Sequence, residues 1–546
     1  VLVLLITQSD SAALLSHARR AQADFERTRL FLLPAGFAHS GERCDARIGR
    51  FCYWSDGADS RVPPEPARIG VARTRLLAVL DSAAQAAPGD GWVVGQQVRY
   101  LLEAGRALDA AIAAQDCRAA AWWCAALEGL AWHGAGDTEA AERLFQAALD
   151  LMPEDERCRW TDLSDLLEES LRRRYRTLSC DGRTAFEARV WWLAQPLWSL
   201  AGNDRRTEHY ARLTLARLLE HARSPYGLWG DDQRETIVRY GWPLAWERDD
   251  GGGTREPVAI GHEPEPSYHF VPDDRAFDGR ASGDDAGDLD WKAARERYAP
   301  AYAATFSVLE PAFATFQRGE STLVVGTYDV SRDTLYRRAS REAALVLARD
   351  ERSAPVVVRH PEAGPSGVLV AVAPWQPAML SLELRAPEGG AAARVRERPP
   401  ALAPAAGALT LSGILLFEPA DSLPEGLAVA LTRPHIGGIT RGARIGLYWE
   451  AYGLAPGEDI ATAVTVTPER NGWLRRVAAT LRLAPRQGSV RVEWREGARL
   501  EQGRAPRALI LDLAGLAAGR YRIDIAVSAA GRAEATSSRR VDVVER

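Results

Sequence analysis

Small residues recur through the first half of this chain at a spacing that restricts it to stacked helices. Three small residues are followed 34 positions later by another small residue, in the pairs Gly95 and Gly129, Ala107 and Ala141, and Ala114 and Ala148. Small side chains let helices approach closely, and one helical hairpin cannot bury its own apolar face without a neighbour. We therefore predict helical hairpins that stack across residues 66–223.

Larger residues complete the second of these units, at Trp132, Phe145 and Pro153. With them, the stretch Leu127–Asp155 resembles a tetratricopeptide repeat. The resemblance implies two-helix units whose groove binds a protein or a peptide. A third hairpin is predicted across residues 186–223, with its turn at Gly202–Asp204, where glycine, asparagine and aspartate occur together.

Length and charge bound the class of protein. The chain has 546 residues, of which 46% are hydrophobic, so it should divide into several domains. Its formal net charge is -5 and the two signs are interleaved, which argues against nucleic acid as a partner. We find no stretch of the roughly 18 to 20 apolar residues that a transmembrane helix needs.

The first six residues, VLVLLI, are apolar and then give way to Thr7. We interpret them as the remainder of a truncated signal peptide. The chain is therefore expected in the periplasm or at the cell surface, with the cytoplasm as the alternative.

The cysteines point to the same compartment. All six lie in the first third of the chain, at Cys44, Cys52, Cys117, Cys124, Cys158 and Cys180. An even number confined to one region favours disulfides, while buried free thiols and a metal site are the alternatives. Their spacing fits zinc poorly because no Cys-x-x-Cys pair occurs. The pairing stays open.

Tryptophans are unusually frequent in the helical half, and two pairs are adjacent in sequence: Trp122 with Trp123, and Trp191 with Trp192. Neighbouring helical positions are about 100° apart, so both members of a pair cannot point straight inward. We predict that one member of each pair reaches an interface or a groove, where aromatic rings can bury a partner's apolar side chains or stack on sugars.

The stretch Ser224–Arg248 carries Trp229, Asp232, Tyr240, Gly241 and Pro243. These residues are spaced as in the bacterial family named after its Gly-Trp-x-Thr-Asp motif, and the stretch resembles a divergent GWxTD domain. The resemblance implies an architecture in which helical repeats and β-sandwich modules accompany this segment. From the residues themselves we expect a strand at ETIVRYG that ends in a glycine-proline turn, with Asp232 capping the turn before it.

The second half alternates apolar and polar residues in short runs typical of β-sandwiches. A helix is expected from Trp291 through Tyr302, and strands follow, with 409–417 returning to the first β module. The last module has an immunoglobulin-like or fibronectin-like strand count, and Tyr521 is expected to hydrogen-bond to the loop before it. The predicted segments are an N-terminal helix with a cysteine loop, the repeat-like helices, the GWxTD-like α+β segment and two β-sandwiches, at residues 1–65, 66–223, 224–300, 301–420 and 434–546.

These observations predict a scaffold or a protein- and peptide-binding protein of the bacterial cell envelope, without catalytic residues, metal or cofactor. The candidate binding residues are Trp122, Trp123, Trp191, Trp192, Trp229, Asp232 and Tyr240. The motifs of serine hydrolases, phosphate-loop enzymes and zinc proteases are absent from the sequence. The alternative is a cell-surface hydrolase or carbohydrate-processing protein, in which a tryptophan-lined groove presents substrate to Asp231 and Asp232.

Overall fold

The computed structural model describes most of the chain. The described residues are 2–35, 46–49, 51–53, 64–223, 229–243, 245–249, 257–262, 267–272, 274–277, 294–310, 312–337, 339–399, 408–469 and 490–545. They form two compact units, Val1–Ala281 with Asp285–Phe306, and Ser282–Asp284 with Ser307–Arg546. The first unit is mainly helical and the second is rich in β-sheet, as the sequence predicts. Among the described helices, none combines the length and hydropathy needed to span a bilayer.

The helices of the first unit follow one another with short connections. They are α1 Leu2–Leu32, α2 Ala67–Ala86, α3 Gly91–Glu103, α4 Ala107–Gln115, α5 Ala121–Gly134, α6 Thr138–Leu151, α7 Glu154–Trp160, α8 Glu169–Arg176, α9 Cys180–Ala194, α10 Asp204–Glu220 and α11 Asp231–Tyr240. Two small antiparallel pairs accompany them: β1 Ala46–Ile48 with β2 Phe51–Tyr53, and β3 Ala245–Asp249 with β4 Val258–His262. A 3-10 turn occupies Asp274–Ala276.

Two hairpins, α3–α4 and α5–α6, occupy the predicted region, and their turn glycines are 31 residues apart (136 − 105), not 34. The turn after α3 contains Gly105 and the turn after α5 contains Gly136, both with positive φ (71° and 80°). Such backbone favours glycine. In the second hairpin, a Cβ on Gly129 would lie 3.0 Å from the ring of Phe145 on α6, so the small residue permits the close approach of the two helices.

Two predictions for the region after α10 are wrong. The segment predicted as a strand is helix α11. Its first turn contains Asp231 and Asp232, and their negative charges are stabilised by the partial positive charge at the N-terminus of the helix. The helix ends at Gly241, whose φ is 90°. The predicted helix at 291–302 is also not observed, because residues 294–302 lie in extended and turn conformations, with Tyr298 bridging Tyr268.

The second unit contains β-strands and two one-turn helices. The strands are β5 Thr305–Val308, β6 Phe313–Arg318, β7 Ser321–Asp329, β8 Glu342–Ala348, β9 Val356–His360, β10 Ser366–Pro374, β11 Met379–Ala386, β12 Ala391–Glu397, β13 Thr410–Leu411, β14 Leu415–Phe417, β15 Ile439–Thr440, β16 Arg444–Tyr452, β17 Asp459–Pro468, β18 Val490–Gly497, β19 Arg504–Asp512, β20 Gly519–Ala529 and β21 Ala535–Val544. The short helices are α12 Thr334–Arg337 and α13 Leu427–Ala430, and Pro387–Gly389 forms a 3-10 turn.

The first β module has two sheets, ordered β10-β7-β6 and β5-β12-β11-β8-β9. Alternate residues of β7 and β10 meet those of β8, β11 and β12 in one core, which includes Val324, Leu345 and Leu382. The alternating burial follows from the two-residue period of a strand.

The last module also has two sheets, β15-β21-β20-β17-β18 and one in which β16 pairs with β13, β14 and β19. Trp449 and Ile523 lie in the core that both sheets share. The Tyr521 hydroxyl donates to the Ala517 carbonyl oxygen at 3.0 Å, which confirms the predicted tyrosine contact. Strands β13 and β14 pair with β16, so residues 409–417 differ from the prediction and take their backbone pairing from the last module. Residues 470–489 of the predicted last module lie outside the described residues.

Candidate binding groove

Helix α10 covers the inner face of the helical hairpins. Twelve of its seventeen residues are buried, on all sides of the helix. The Leu218 side chain contacts Gly95 on α3, where any Cβ would collide with it. Gln96 donates to the Leu218 carbonyl oxygen at 2.9 Å, and His133 on α5 contacts Thr207 and Glu208 at 3.0 and 2.7 Å. This face of α3 and α5 is therefore occupied by the chain itself.

Charged residues on α10 are buried because later segments pair with them. Glu296 accepts from the Nε and Nη2 atoms of Arg205 at 3.0 and 2.7 Å through one oxygen. Its other oxygen contacts His269 Nδ1 at 2.9 Å and accepts the backbone amides of Phe270 and Val271. Burial alone would raise the pKa of Glu296, but Arg205, His269 and these amides hold it well below its usual range. This arrangement is a structural anchor, since every oxygen is satisfied within the protein.

Each tryptophan pair has one buried member. Trp123 and Trp191 are 8% and 3% exposed, whereas Trp122 and Trp192 are partly exposed. The Trp122 ring contacts Trp160, with 5.8 Å between centroids, and the Arg217 guanidinium 4.9 Å away. Trp192 stacks on Trp198 at 4.8 Å and on Arg189 at 4.3 Å. The two outer rings thus have partners within the chain.

The two pairs also lie apart. Trp122 and Trp123 contact Arg217, while Trp191 contacts His209, with 5.0 Å between ring centroids. On α10, His209 and Arg217 are eight positions apart, which is about 12 Å along a helix. The structure therefore does not join the four rings in one aromatic groove.

The GWxTD-like residues are packed around α11. Trp229 packs beside a core cluster that includes Leu219 and Ile237. Asp232 contacts Gly49 of the β1–β2 turn, and its Oδ1 accepts the Gln233 amide at 2.9 Å. Tyr240 is 5% exposed and accepts from Arg239 at 2.8 Å, and burial raises the pKa of its hydroxyl. These three candidate binding residues occupy structural positions.

Sequence reasoning missed Arg212 of α10. Its Nη1 donates to the carbonyl oxygens of Val238 and Arg239, at 3.3 and 2.8 Å, and its Nη2 donates to Arg297 at 2.9 Å. The last carbonyls of α11 have no partner within the helix, so the guanidinium satisfies them and attracts the negative end of the dipole. The glycine at 241 was the only sequence signal here, because a Cβ there would lie about 3.2 Å from this guanidinium.

Two of the cysteine pairs are closed. Cys117, just after α4, is joined to Cys124 on α5, and Cys158 on α7 is joined to Cys180 at the start of α9. Free cysteines are absent from the described residues. Cys44 lies outside those residues, and the structure does not describe the side chain of Cys52.

A groove of about 720 Å³ opens on the other side of the hairpins, between α2, α3 and α4. Its floor is apolar, with Leu77, Val94 and Leu101 each less than 9% exposed. Ile112 of α4 lines it with 60% of its surface exposed. Val94 and Leu101 are seven residues apart on α3, so they share one face of that helix.

The rim of the groove is acidic. Asp81 accepts hydrogen bonds from the neutral side-chain amides of Gln97 and Gln85, at 3.1 and 2.9 Å. Asp116 is exposed at the far end of α4. Asp109 is paired with Arg106 at 2.7 Å, and Arg118 donates to the carbonyl oxygens of Gln115 and Cys117. Three aspartates and two arginines thus leave the lining with one net negative charge, which favours a cationic partner.

The groove's far wall is fixed covalently. Cys117 ties the end of α4 to α5, and the Arg118 amide donates to the Pro88 carbonyl oxygen at 2.7 Å, in the turn after α2. Asp90 caps α3 by accepting the amides of Trp92 and Val93. The groove therefore has a largely preformed shape.

Comparison with known proteins places this chain in no family. No family model matches it, and neither does any curated protein. Among solved structures, red sea bream transglutaminase aligns at 10% identity over 44% of this chain and 31% of its own, with a TM-score of 0.15. The FN1–FN3 domains of chicken CNTN1 align at 12% identity over 55% of this chain and 76% of theirs, also with a TM-score of 0.15. The chain thus spans about a third of the length of the transglutaminase.

Proposed function

We propose that the helical unit is a tetratricopeptide-like protein-binding module within a non-enzymatic scaffold of the bacterial cell envelope. The α2–α3–α4 groove takes a segment of a partner protein that presents apolar side chains and at least one lysine or arginine. The observation that carries this proposal is the groove's apolar floor beside three aspartates, Asp81, Asp109 and Asp116, which outnumber the two arginines of the lining by one.

The position of α10 directs the proposal to this groove. In helical arrays the concave face is the usual binding surface. Here α10 fills the corresponding face of α3 and α5 with buried side chains and hydrogen bonds, so a partner would have to displace a core helix. The α2–α3–α4 groove requires no such displacement.

Two other features support the location and the scaffold role. The disulfides Cys117–Cys124 and Cys158–Cys180 are typical of an oxidising compartment. The second unit supplies modules of the immunoglobulin or fibronectin type, in which the Tyr521 contact is a recurrent stabilising feature. In the proposed scaffold these modules position the binding unit and have no catalytic role.

A peptide selection on the full chain tests the proposal. Displayed random peptides are selected on the oxidised protein, and the affinity of the enriched sequences is measured for the parent and for Ile112→Glu and Asp81→Arg. We expect peptides with spaced apolar residues and a basic residue, and both variants should lower their affinity at least about tenfold, as a central contact does.

Leu151→Glu is the matched control. Leu151 is 56% exposed at the end of α6 and does not line the groove, so its substitution alters surface hydrophobicity equally. We expect it to leave the affinity within about twofold of the parent's. Enrichment of acidic peptides, or peptides that bind Ile112→Glu as tightly as the parent, would contradict the proposed groove.

A further inference from the structure

A separate cavity of about 290 Å³ enters the first β module between its two sheets. Val356 at the start of β9 and Pro374 at the end of β10 both line it, and these two strands belong to different sheets. The deepest lining residues are Val324, Leu347 and Leu380, all 5% exposed or less. The cavity therefore leads from the surface into the hydrophobic core.

The cavity lining contains one charged residue, Arg349, and the hydroxyls of Thr315 and Thr322 also line it. Arg349 and Gln376 line it together, and the guanidinium of Arg349 donates to the amide oxygen of Gln376. Asp350 follows Arg349 directly, and hydrogen bonds from Arg352 and Ser353, together with the charge of Arg349, lower the pKa of its carboxyl, whereas Arg349 itself forms its side-chain hydrogen bond with a neutral amide. Trp375 stands beside them, held by a backbone hydrogen bond from its amide to the Glu320 carbonyl oxygen at 2.7 Å. The entrance thus presents a cation and an aromatic ring.

We propose that this cavity binds a single-chain aliphatic carboxylate, such as a medium-chain fatty acid. The chain would lie between the sheets against Val324, Leu347 and Leu380, and the carboxylate would pair with Arg349. Its volume is close to the lower limit of about 300 Å³ for small-molecule sites, which suits one flexible chain.

A peptide fits this cavity less well. Each buried backbone amide and carbonyl of a peptide needs a hydrogen-bond partner. The walls offer hydrocarbon, two threonines and a few prolines, and the charged group lies only at the rim. An aliphatic chain has no such requirement, and its one polar end coincides with the one guanidinium.

Calorimetric titration of the full chain distinguishes the components of this proposal. Decanoate, 1-decanol and decyltrimethylammonium are titrated separately, below the concentrations at which they form micelles. We expect decanoate to bind one-to-one and more tightly than decanol, and the cationic amphiphile to bind weakest. Absence of decanoate binding, or tighter binding of the cationic amphiphile, would overturn the proposal.

Three variants locate the site. Arg349→Gln should weaken decanoate about tenfold while changing decanol less than about twofold, because only the carboxylate loses its partner. Arg352→Gln, which removes a nearby exposed arginine that does not line the cavity, should change neither. Ala354→Trp places a ring at the entrance on an exposed residue and should abolish both. Unchanged decanoate binding in Ala354→Trp and Arg349→Gln would show that it binds elsewhere.

Discussion

One carboxylate oxygen of Glu296 accepts both the Nε and the Nη2 hydrogen bonds of Arg205, at 3.0 and 2.7 Å, and both side chains are fully buried. The pair joins the start of α10 to a segment 91 residues later in the chain. It therefore ties the GWxTD-like region to the helical hairpins. An intact buried ion pair contributes little net stability. Removing one partner destabilises the folded state strongly, because the other charge stays buried without a partner.

We expect Glu296→Gln to lower the free energy of unfolding of the helical unit by about 3 to 5 kcal/mol, since Arg205 would be left as a buried, uncompensated cation. Denaturant unfolding followed by far-ultraviolet circular dichroism measures the loss. The control is Glu169→Gln, which removes a solvent-exposed carboxylate paired with Arg172 and should change the denaturation midpoint far less. Equal effects of the two substitutions would contradict the anchoring role.

Glu187 on α9 makes the helical unit sensitive to pH. Burial raises the pKa of its carboxyl to about 7, against the opposing effect of the hydrogen bond donated by Tyr175 at 2.8 Å. A pKa higher in the folded than in the unfolded state favours the folded, protonated form. The resulting stabilisation is complete below the unfolded pKa of about 4.3 and is lost as the pH rises toward 7.

Glu187→Gln should remove this part of the pH dependence. Glutamine stays neutral, so the variant should unfold less readily than the parent near pH 8, by as much as about 3 kcal/mol, and the difference should shrink toward pH 4. Asp204, whose pKa burial raises to about 6, should retain its own contribution in both proteins. A variant with the parent's pH profile would exclude Glu187 as the titrating group.

Two helical glycines allow the effect of close packing on stability to be distinguished from the effect of helix propensity. A Cβ on Gly129 would press on the buried ring of Phe145, so Gly129→Ala should cost about 1 to 3 kcal/mol despite alanine's better propensity. Gly70 lies inside α2 with no atom near the position of its Cβ, so Gly70→Ala should stabilise by about 0.5 to 1 kcal/mol. Thermal unfolding of both variants measures this opposition of sign. Stabilisation by Gly129→Ala would argue against the hairpin register.

The sequence predicted the helical half from local rules that the structure obeys. Helical periodicity predicted the helices of the first unit, although the two hairpins recur after 31 residues (Gly105 to Gly136) and not after 34. The 100° argument correctly placed one member of each tryptophan pair inward, and the outer rings Trp122 and Trp192 contact Arg217 and Trp198. These conclusions depend on neighbours along the helix, which periodicity describes well.

The conformation of α11 and the burial of the charged residues on α10 depend on contacts with residues distant in sequence, so local patterns did not predict them. Residues 236–238, Thr-Ile-Val, favour a strand by propensity, but tertiary packing of Ile237 and the Arg212 contacts at the helix end make the segment α11. Likewise, the charged residues of α10 look like a solvent-facing surface in sequence. Their burial follows from pairing with residues as far away as Glu296, which no local pattern reveals.

Opening the Cys117–Cys124 disulfide should affect both stability and the groove. The bond closes a short loop, so Cys117→Ala with Cys124→Ala should cost about 2 to 3 kcal/mol. Because the bond holds the end of α4, which carries Ile112 and Asp116, peptides selected on the parent should also dissociate faster from the variant. Binding kinetics under conditions where circular dichroism shows the helices intact separate this effect from unfolding.

Removing the Cys158–Cys180 disulfide provides the comparison, because that bond joins α7 to α9 and contributes no lining residue to the groove. Its loss should lower stability without changing the rate of peptide dissociation.

Thiol titration of the denatured, non-reduced parent completes the test. Few reactive thiols are expected, and six would contradict both the fixed groove wall and an oxidising location for the protein.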